Sequence, residues 1–172
     1  MKISSYIPLL SLFVVSSLLS PSSCDETTDL INQICRNTAD FGFCNNILNR
    51  NLISPKTDFV GLTKLTINLA LSFANDTDIF IQKSEAAEKD PKLKQLYAGC
   101  DSNYQKVVGF MRGAQYDVNR ADYKSMVELL QLCSRPVIDC QNALGDIVFE
   151  VREKNRRMRV FLTMGLYEGG QL

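Results

Sequence analysis

The chain has 172 residues, with 19 Lys and Arg against 19 Asp and Glu, six Cys and no His. This length predicts a single domain, and the balanced charge argues against nucleic-acid binding, which needs a basic surface. Without histidine a Ser-His-Asp triad, a Cys-His dyad and a histidine metal site are excluded. Acid–base chemistry by carboxylates, Lys or Tyr stays open, but no nucleophile–base pair is visible. We therefore predict a protein that is not an enzyme and uses no metal or cofactor.

Residues 1–24 have the layout of a secretory signal peptide. Lys2 gives a positive start, an apolar run follows over 7–19, and small polar residues come next. The run is too short to span a bilayer comfortably, although a membrane anchor or a buried core helix is the alternative. Cleavage is predicted after Ser23 or Cys24, and removal of residues 1–24 from the 172 residues would leave 148 residues and five cysteines in an oxidising compartment. We predict a secreted protein that has no membrane contact after cleavage.

The first part of the mature chain is predicted to be a helical hairpin over 25–53. Short helical segments at 29–37 and 44–51 flank a turn over 38–42, and Ser54-Pro55 ends the unit. It is too small to have a core of its own, so a local disulfide would help to hold it.

Four longer segments carry apolar residues at the three- and four-residue steps of a helix. The first is predicted over 57–88, with Asp90-Pro91 ending it and starting the second. The pattern weakens over 113–120, where we place the connection to the third, and Pro136 is expected to kink or interrupt the third. The fourth is predicted over 151–167. Short connections between long helices predict an all-α, up-down-up-down four-helix bundle over 54–168, preceded by the short disulfide-pinned N-terminal helical hairpin.

The predicted core follows the apolar stripes of these helices. In the first long helix the stripe comprises Leu62, Leu65, Leu69, Phe73 and Phe80. Heptad seams run along the next two helices: Leu93, Tyr97, Cys100, Tyr104, Val107 and Met111, then Met126, Leu130, Cys133, Val137, Cys140, Leu144 and Ile147. The stripe of the fourth helix comprises Met158, Phe161, Leu162, Gly165 and Leu166.

The positions of the cysteines favour two disulfides. Cys100 and Cys140 lie on seams of adjacent helices, and Cys35 and Cys44 flank the hairpin turn. This assignment leaves Cys133, also on a seam, as a buried free thiol. Five cysteines allow many other pairings, and the seam argument favours this one without excluding the rest.

These residues together resemble the plant invertase/pectin methylesterase inhibitor family over essentially the whole mature chain. The matching pieces are Cys35-x8-Cys44, Asp90-Pro91-Lys92-Leu93-Lys94, Tyr97-x-x-Cys100 followed by Tyr104, Asp122-Tyr123, and Cys140. The resemblance implies a secreted four-helix bundle with an N-terminal hairpin and with disulfides Cys35–Cys44 and Cys100–Cys140.

The resemblance also implies a function without chemistry: a one-to-one complex with a plant cell-wall enzyme whose substrate cleft the inhibitor covers. The family's targets are pectin methylesterases or acid invertases. Residues 90–123 look more like the methylesterase inhibitors, and the connection before the third long helix lacks the Pro-Lys-Phe triplet frequent in invertase inhibitors. We predict an apoplastic pectin methylesterase inhibitor that is monomeric before it binds. The alternatives are an invertase inhibitor, for which the vacuole is a possible location, and a non-inhibitory structural or interaction bundle.

Two segments depart from the family pattern. The family usually has Ser-Ala-Ala seven to nine residues before its last disulfide cysteine, and Thr-Cys-Glu-Asp around that cysteine. Here Gln131-Leu132-Cys133 and Asp139-Cys140-Gln141-Asn142 occupy these positions. The second and third long helices are thought to supply much of the enzyme-facing surface in the family. These departures therefore affect target affinity more than the fold.

Polar and aromatic side chains off the seams form the candidate partner interface, while Tyr97 and Tyr104, on a seam, are expected in the core. The candidates are Asp101, Asn103, Gln105, Asp117, Asn119, Arg120, Asp122 and Tyr123. Such residue types suit a polar interface, and a solvated surface is the alternative for each.

Three further features bear on function. The fourth helix carries a basic run that comprises Arg152, Lys154, Arg156, Arg157 and Arg159. This run either attracts anionic pectin or forms a solvated helix face. Asn75-Asp76-Thr77 is an N-glycosylation acceptor sequence. Since histidine is missing, any pH dependence in the mildly acidic range is predicted to come from carboxyl groups with a raised pKa or from the partner.

Overall fold

The computed structural model describes residues 23–172, with side chains from residue 26 onward, so nearly all of the predicted signal peptide lies outside the described residues. This part of the chain contains six helices and no strand, which confirms the all-α prediction. The helices are α1 (Ser23–Cys35), α2 (Phe41–Asn51), α3 (Phe59–Ala87), α4 (Pro91–Asn119), α5 (Tyr123–Leu144) and α6 (Phe149–Gly169). None of these helices is both long and apolar enough to cross a bilayer.

Helices α3 to α6 form the predicted up-down-up-down bundle, since each packs on the next and α6 returns to α3. Helices α1 and α2 pack against each other, and the pair contacts α3 and α6. Four of the helix starts are set by aspartate N-caps whose side chains accept hydrogen bonds from backbone N–H groups two or three residues on. These caps are Asp40, Asp58, Asp90 and Asp122.

The two heptad seams are the centre of the core. The seam side chains of α4 from Tyr97 to Met111 and those of α5 from Met126 to Leu144 are buried, while Leu93 is half-buried. The prediction was wrong for Ile147, whose side chain is 61% exposed, because α5 ends at Leu144 and the chain turns before α6.

The buried face of α3 differs from its predicted apolar stripe. Small and β-branched residues lie innermost: Thr63, Thr66, Ala70, Ala74 and Thr77, with Leu62, Ile67 and Ile81. The larger stripe residues Leu65, Leu69, Phe73 and Phe80 are only half-buried and pack on the flank of the core. Threonine is tolerated inside because its hydroxyl bonds to the helix itself, as Thr63 does to Phe59 O and Thr77 to Phe73 O, each at 2.8 Å.

Two predicted breaks are absent. Residues 113–120 do not contain a long connection, because α4 continues to Asn119 and the turn is formed by Arg120–Asp122, with Ala121 at φ 59°. Gly113 instead allows α5 to pack closely against α4, since a Cβ at this position would lie 2.7 Å from Leu129 Cδ1. Pro136 is buried inside α5, which continues to Leu144, so the predicted interruption is absent, while the predicted kink stays a prediction.

The hairpin is closed by the Cys35–Cys44 disulfide, with Cα atoms 5.5 Å apart, and the bundle carries Cys100–Cys140, with Cα atoms 4.6 Å apart. Both predicted disulfides are therefore confirmed, and Cys133 is a buried free cysteine. The turn lies over 36–40 and not over 38–42 as predicted, because α1 ends at Cys35 and the Asp40 cap places the two residues after it inside α2.

Candidate functional site

The most exposed group of predicted interface residues lies at the corner between α4 and α5. Asn119, Arg120 and Asp122 are exposed there, while Asp117 and Tyr123 are half-buried. The left-handed backbone of the turn, at φ 59°, lets the chain reverse within three residues. We call these residues, together with Tyr116, the α4–α5 corner.

Local contacts hold the side chains of the α4–α5 corner. The Arg120 guanidinium donates a hydrogen bond to the Tyr116 hydroxyl and lies 5.2 Å from the centroid of that ring. Asp122 accepts a hydrogen bond from the backbone N–H of Ser125 at 3.1 Å, and this bond lowers the pKa of Asp122. The corner therefore offers an ordered cation, an aromatic ring and an ionised carboxylate to a partner.

A groove of about 650 Å³ continues from the α4–α5 corner along the first half of α5. It is lined by Ala121, Asp122, Tyr123, Lys124, Val127, Glu128, Gln131, Gly169, Gly170 and Leu172. Two predicted interface residues thus share this groove with Gln131, one of the positions that depart from the family pattern.

The three other interface candidates do not form one surface with the corner. Asp101 and Gln105 lie on the side of α4 that faces α3, where Gln105 Nε2 donates to Asp101 Oδ2 at 2.8 Å. Asn103 lies about 200° around the helix from Asp101 and is half-buried. The predicted set of eight is therefore split between the corner and two sides of α4.

The departures from the family pattern have different surroundings. Gln131 is exposed and Leu132 is 54% exposed on the outer side of α5, so both are accessible to a partner. Cys133 is fully buried, and burial raises the pKa of its thiol to about 12. The thiol therefore stays protonated and serves as a core side chain.

The basic run of α6 is largely engaged within the molecule. Arg156 forms ion pairs with Asp40 of the hairpin and with Glu153. Arg157 lies 5.5 Å from the ring centroid of Phe43, also in the hairpin. Lys154 lies over the rings of Phe73 and Phe80, and Arg152 over that of Phe149. The contacts of Arg156 and Arg157 therefore join the hairpin to α6, while those of Lys154 and Arg152 lie within the bundle. Arg159 is exposed and its guanidinium has no described partner.

The glycosylation acceptor sequence lies in the middle of α3. Asn75 is half-buried and its Nδ2 donates to Leu71 O at 2.9 Å, while Thr77 is fully buried. A glycan at Asn75 stays a prediction, and it would have to be attached before α3 forms.

Two acidic positions were not singled out from the sequence. Glu168 of α6 is fully buried and accepts one hydrogen bond, from Thr66 Oγ1 at 3.0 Å, and burial raises its pKa to about 8. Glu168 lies seven residues after Phe161 on the same stripe of the helix, and this spacing could have predicted its burial from the sequence. Asp78 of α3 contacts Asp101 of α4, and no periodicity in the sequence indicates that contact.

Tyr97 and Tyr104 lie in the core, as predicted. Tyr104 donates a hydrogen bond from its hydroxyl to Oδ1 of the buried Asn155 at 2.8 Å. Among residues 23–172 there is no group of three or more Cys, Asp or Glu side chains arranged to hold a metal ion. The polar side chains described above therefore pack in the core, cap helices or lie exposed at the surface.

Comparison with solved structures supports the fold. The chain matches a pectin methylesterase inhibitor from Arabidopsis thaliana with a TM-score of 0.65, covering 84% of this chain and 96% of the other at 19% identity. A mutant form A of an Arabidopsis pectin methylesterase inhibitor matches with a TM-score of 0.74, covering 83% and 96%, also at 19% identity. At this identity the likeness shows a shared fold.

Comparison of sequences identifies relatives of two kinds. A pectinesterase inhibitor from Actinidia deliciosa is 29% identical over 118 residues, which are 69% of this chain. The cell wall / vacuolar inhibitor of fructosidase 2 from Arabidopsis thaliana is 29% identical over 117 residues, or 66% of this chain. The matched region spans 64% of the length of each relative.

The family model named plant invertase/pectin methylesterase inhibitor matches residues 29–160. That range includes the second helix of the hairpin, both disulfides, the α4–α5 corner and most of the bundle. The chain therefore belongs to the plant invertase/pectin methylesterase inhibitor family.

Proposed function

We propose that this protein is an inhibitor of a pectin methylesterase and acts by one-to-one binding over the enzyme's substrate cleft. The observation that carries the proposal is the family match over 29–160 on a bundle of the inhibitor fold. The protein does no chemistry itself. The signal-peptide pattern of residues 1–24 supports secretion to the apoplast, with 25–172 as the mature domain.

The α4–α5 corner and its groove are the proposed contact surface. An exposed arginine, a tyrosine and a carboxylate lie together there, and arginine and tyrosine are the residue types enriched in protein interfaces. Their orientation is held by the contact between Arg120 and Tyr116, so little side-chain freedom is lost on binding. Leu132 extends the surface with an apolar side chain on α5.

Inhibition of an acid invertase is the second candidate. The relative named as an inhibitor of fructosidase is as similar to this chain as the pectinesterase inhibitor, at 29% identity each. The connection 116–123, which has no Pro-Lys-Phe triplet, favours the methylesterase. A bundle without inhibitory activity is the third candidate, because Gln131-Leu132-Cys133 occupies the positions where the family usually has the smaller residues Ser-Ala-Ala.

Titration of the purified mature protein into a pectin methylesterase assay and an acid invertase assay separates these readings. Inhibition that saturates near one inhibitor per enzyme in the first assay supports the proposal. Saturation in the invertase assay alone transfers the function to that enzyme. A folded protein without effect in either assay leaves the non-inhibitory bundle.

Arg120→Glu tests the contact surface. We expect it to weaken inhibition at least about tenfold, because it reverses the charge at the centre of the α4–α5 corner. Arg50→Glu is the matched control, an exposed arginine at the end of α2 on the hairpin side of the molecule. Equal inhibition by both variants would place the contact surface elsewhere.

A further inference from the structure

Two carboxyl groups from neighbouring bundle helices face each other between α3 and α4. Asp78 and Asp101 lie within hydrogen-bonding reach of one another, and Oδ1 of each is buried without another hydrogen-bond partner among the described residues. Each Oδ2 is held by a glutamine one turn later in its own helix: Gln82 Nε2 to Asp78 at 3.1 Å, and Gln105 Nε2 to Asp101 at 2.8 Å.

Neither carboxyl group of the pair has an oppositely charged partner at ion-pair distance in the described part of the chain. The side chains that contact the two carboxyl groups from α3 and α4 are the neutral amides of Gln82 and Gln105. Two ionised carboxylates with facing, unhydrated oxygens repel each other, and each leaves a buried acceptor without a donor.

We infer that Asp78 and Asp101 share one proton, which links α3 to α4 by a carboxylic acid–carboxylate hydrogen bond. One shared proton satisfies both orphan oxygens, since the protonated carboxyl donates and the ionised one accepts. The two glutamines donate to the outer oxygens and hold the carboxyl groups in this orientation. The inference does not depend on the proposed inhibition, and either can fail without the other.

The shared proton makes the α3–α4 contact sensitive to pH. Burial and the neighbouring carboxyl of Asp101 both raise the pKa of Asp78. A group whose pKa is raised by folding stabilises the fold at acidic pH, and that stabilisation is lost as the pH rises through the raised value. The contact is therefore closed in acid and opens by repulsion as the pH rises through the raised pKa of Asp78. Asp101 and Gln105 belong to the predicted partner interface, so the charge of that side of α4 changes in the same step.

Carboxyl carbon shifts measured by NMR as a function of pH test the inference on the unmodified mature protein. Sharing predicts that Asp78 and Asp101 titrate together in two steps, with both carbons moving in each step and the upper step above the ordinary range of an aspartate. Two carboxyl groups that each titrate once, at separate midpoints, would overturn it. So would an upper step that moves Asp78 alone, since burial without sharing has that effect.

The variant Asp78→Asn gives a second, independent readout. Its amide N–H replaces the shared proton with a permanent donor to the carboxylate of Asp101, so the upper step of the coupled titration is lost. Asp76→Asn, an exposed aspartate in the same helix, is the matched control and should leave both steps unchanged. An upper step of Asp101 that persists in Asp78→Asn would contradict proton sharing.

Discussion

The N-terminal hairpin and the four-helix bundle each contain one disulfide, but the two disulfides close chain segments of different length in different surroundings. In the hairpin the Cys35–Cys44 bridge closes a separation of nine residues. The attachment of the hairpin to α6 includes the Arg156–Asp40 ion pair and a hydrogen bond from Gln33 to Tyr167. In the bundle a separation of 40 residues is closed inside an apolar core formed by two heptad seams.

This difference indicates where the molecule is weakest. Ion pairs and hydrogen bonds at the surface contribute little, while burial of apolar side chains supplies most of the stability. We expect the hairpin to open locally before the bundle unfolds, because few of its side chains, among them Ile31, Ile34 and Leu48, are buried in the core that it shares with the bundle. Phe161 of α6 contacts both regions within this core, with its ring 5.4 Å from Phe43 of α2 and 5.5 Å from Phe73 of α3, measured between centroids.

The largest effect is expected for Phe161→Ala, which removes a side chain that contacts both regions. We expect a loss of about 3–5 kcal/mol in the free energy of unfolding, because the ring is buried and leaves a cavity. Urea denaturation followed by circular dichroism measures it. The control is Phe149→Ala, an exposed phenylalanine at the start of the same helix, expected to change stability by less than about 1 kcal/mol. Similar losses in both variants would show that the two regions are not coupled through Phe161.

Removal of each disulfide comes next and tests the comparison directly. The chain-entropy model gives about 4 kcal/mol for the bridge in Cys100→Ala/Cys140→Ala and about 3 kcal/mol for the one in Cys35→Ala/Cys44→Ala. The two double variants should differ less in the size of the stability loss than in the region of the molecule that is destabilised. Hydrogen exchange should speed up across all bundle helices in the first variant and mainly in α1 and α2 in the second. Uniform acceleration in both would refute a separately opening hairpin.

Glu168 makes the bundle core sensitive to pH. Its pKa is about 8 in the folded chain against an ordinary value of 4.5, so the folded state holds a proton that the unfolded state releases between these values. The resulting stability is complete in acid and is lost as the pH rises through about 8, by an amount on the order of a few kcal/mol. Glu168→Gln should flatten this decline. Free energies of unfolding at several pH values measure it, and parallel curves for variant and parent would contradict the assignment.

The smallest effect is expected at the surface contact between the two regions. Arg156→Met removes the ion pair with Asp40, whose pKa is lowered first by its hydrogen bond from Phe43 N–H and then by Arg156. We expect a loss under about 1 kcal/mol, confined to faster hydrogen exchange in α1 and α2, because the arginine is substantially exposed. Arg159→Met is the control on the same helix. A global loss of stability would mean that this ion pair supports the bundle as well.

Much of the fold could be predicted because its signals are local. Helical periodicity, the Asp90-Pro91 boundary and the positions of the cysteines correctly indicated the bundle and favoured both disulfides. The errors occurred where packing overrides local preference. Gly113 and Pro136 read as breaks, yet each lies inside a continuous helix, because Leu129 fills the space beside the glycine and the proline is buried. On α3 the small residues lie innermost although the larger ones carry the stronger pattern.

The candidate site could be predicted only in part. The interface at the α4–α5 connection stays a prediction; the structure shows that Asn119, Arg120 and Asp122 are exposed there and that a groove lies beside them. Periodicity did not reveal that Asp101 faces Asp78, since the two are 23 positions apart and meet through the antiparallel packing of α3 and α4. It also did not reveal that Arg156 and Arg157 hold the hairpin, since a charge run reads as a solvated face.

The sequence by itself determined the all-helical architecture, the family, the two disulfides and the lack of any histidine. Each depends on residue identity and on spacing along one chain, which can be read without a partner element. Only the tertiary structure decided the surroundings of the charged groups. These are the contact between Asp78 and Asp101, the burial of Glu168, and the contacts of Arg156 and Arg157 of α6 with the hairpin. These contacts join distant segments, and the proton and charge states follow from burial and neighbouring groups, which exist only after the helices have packed.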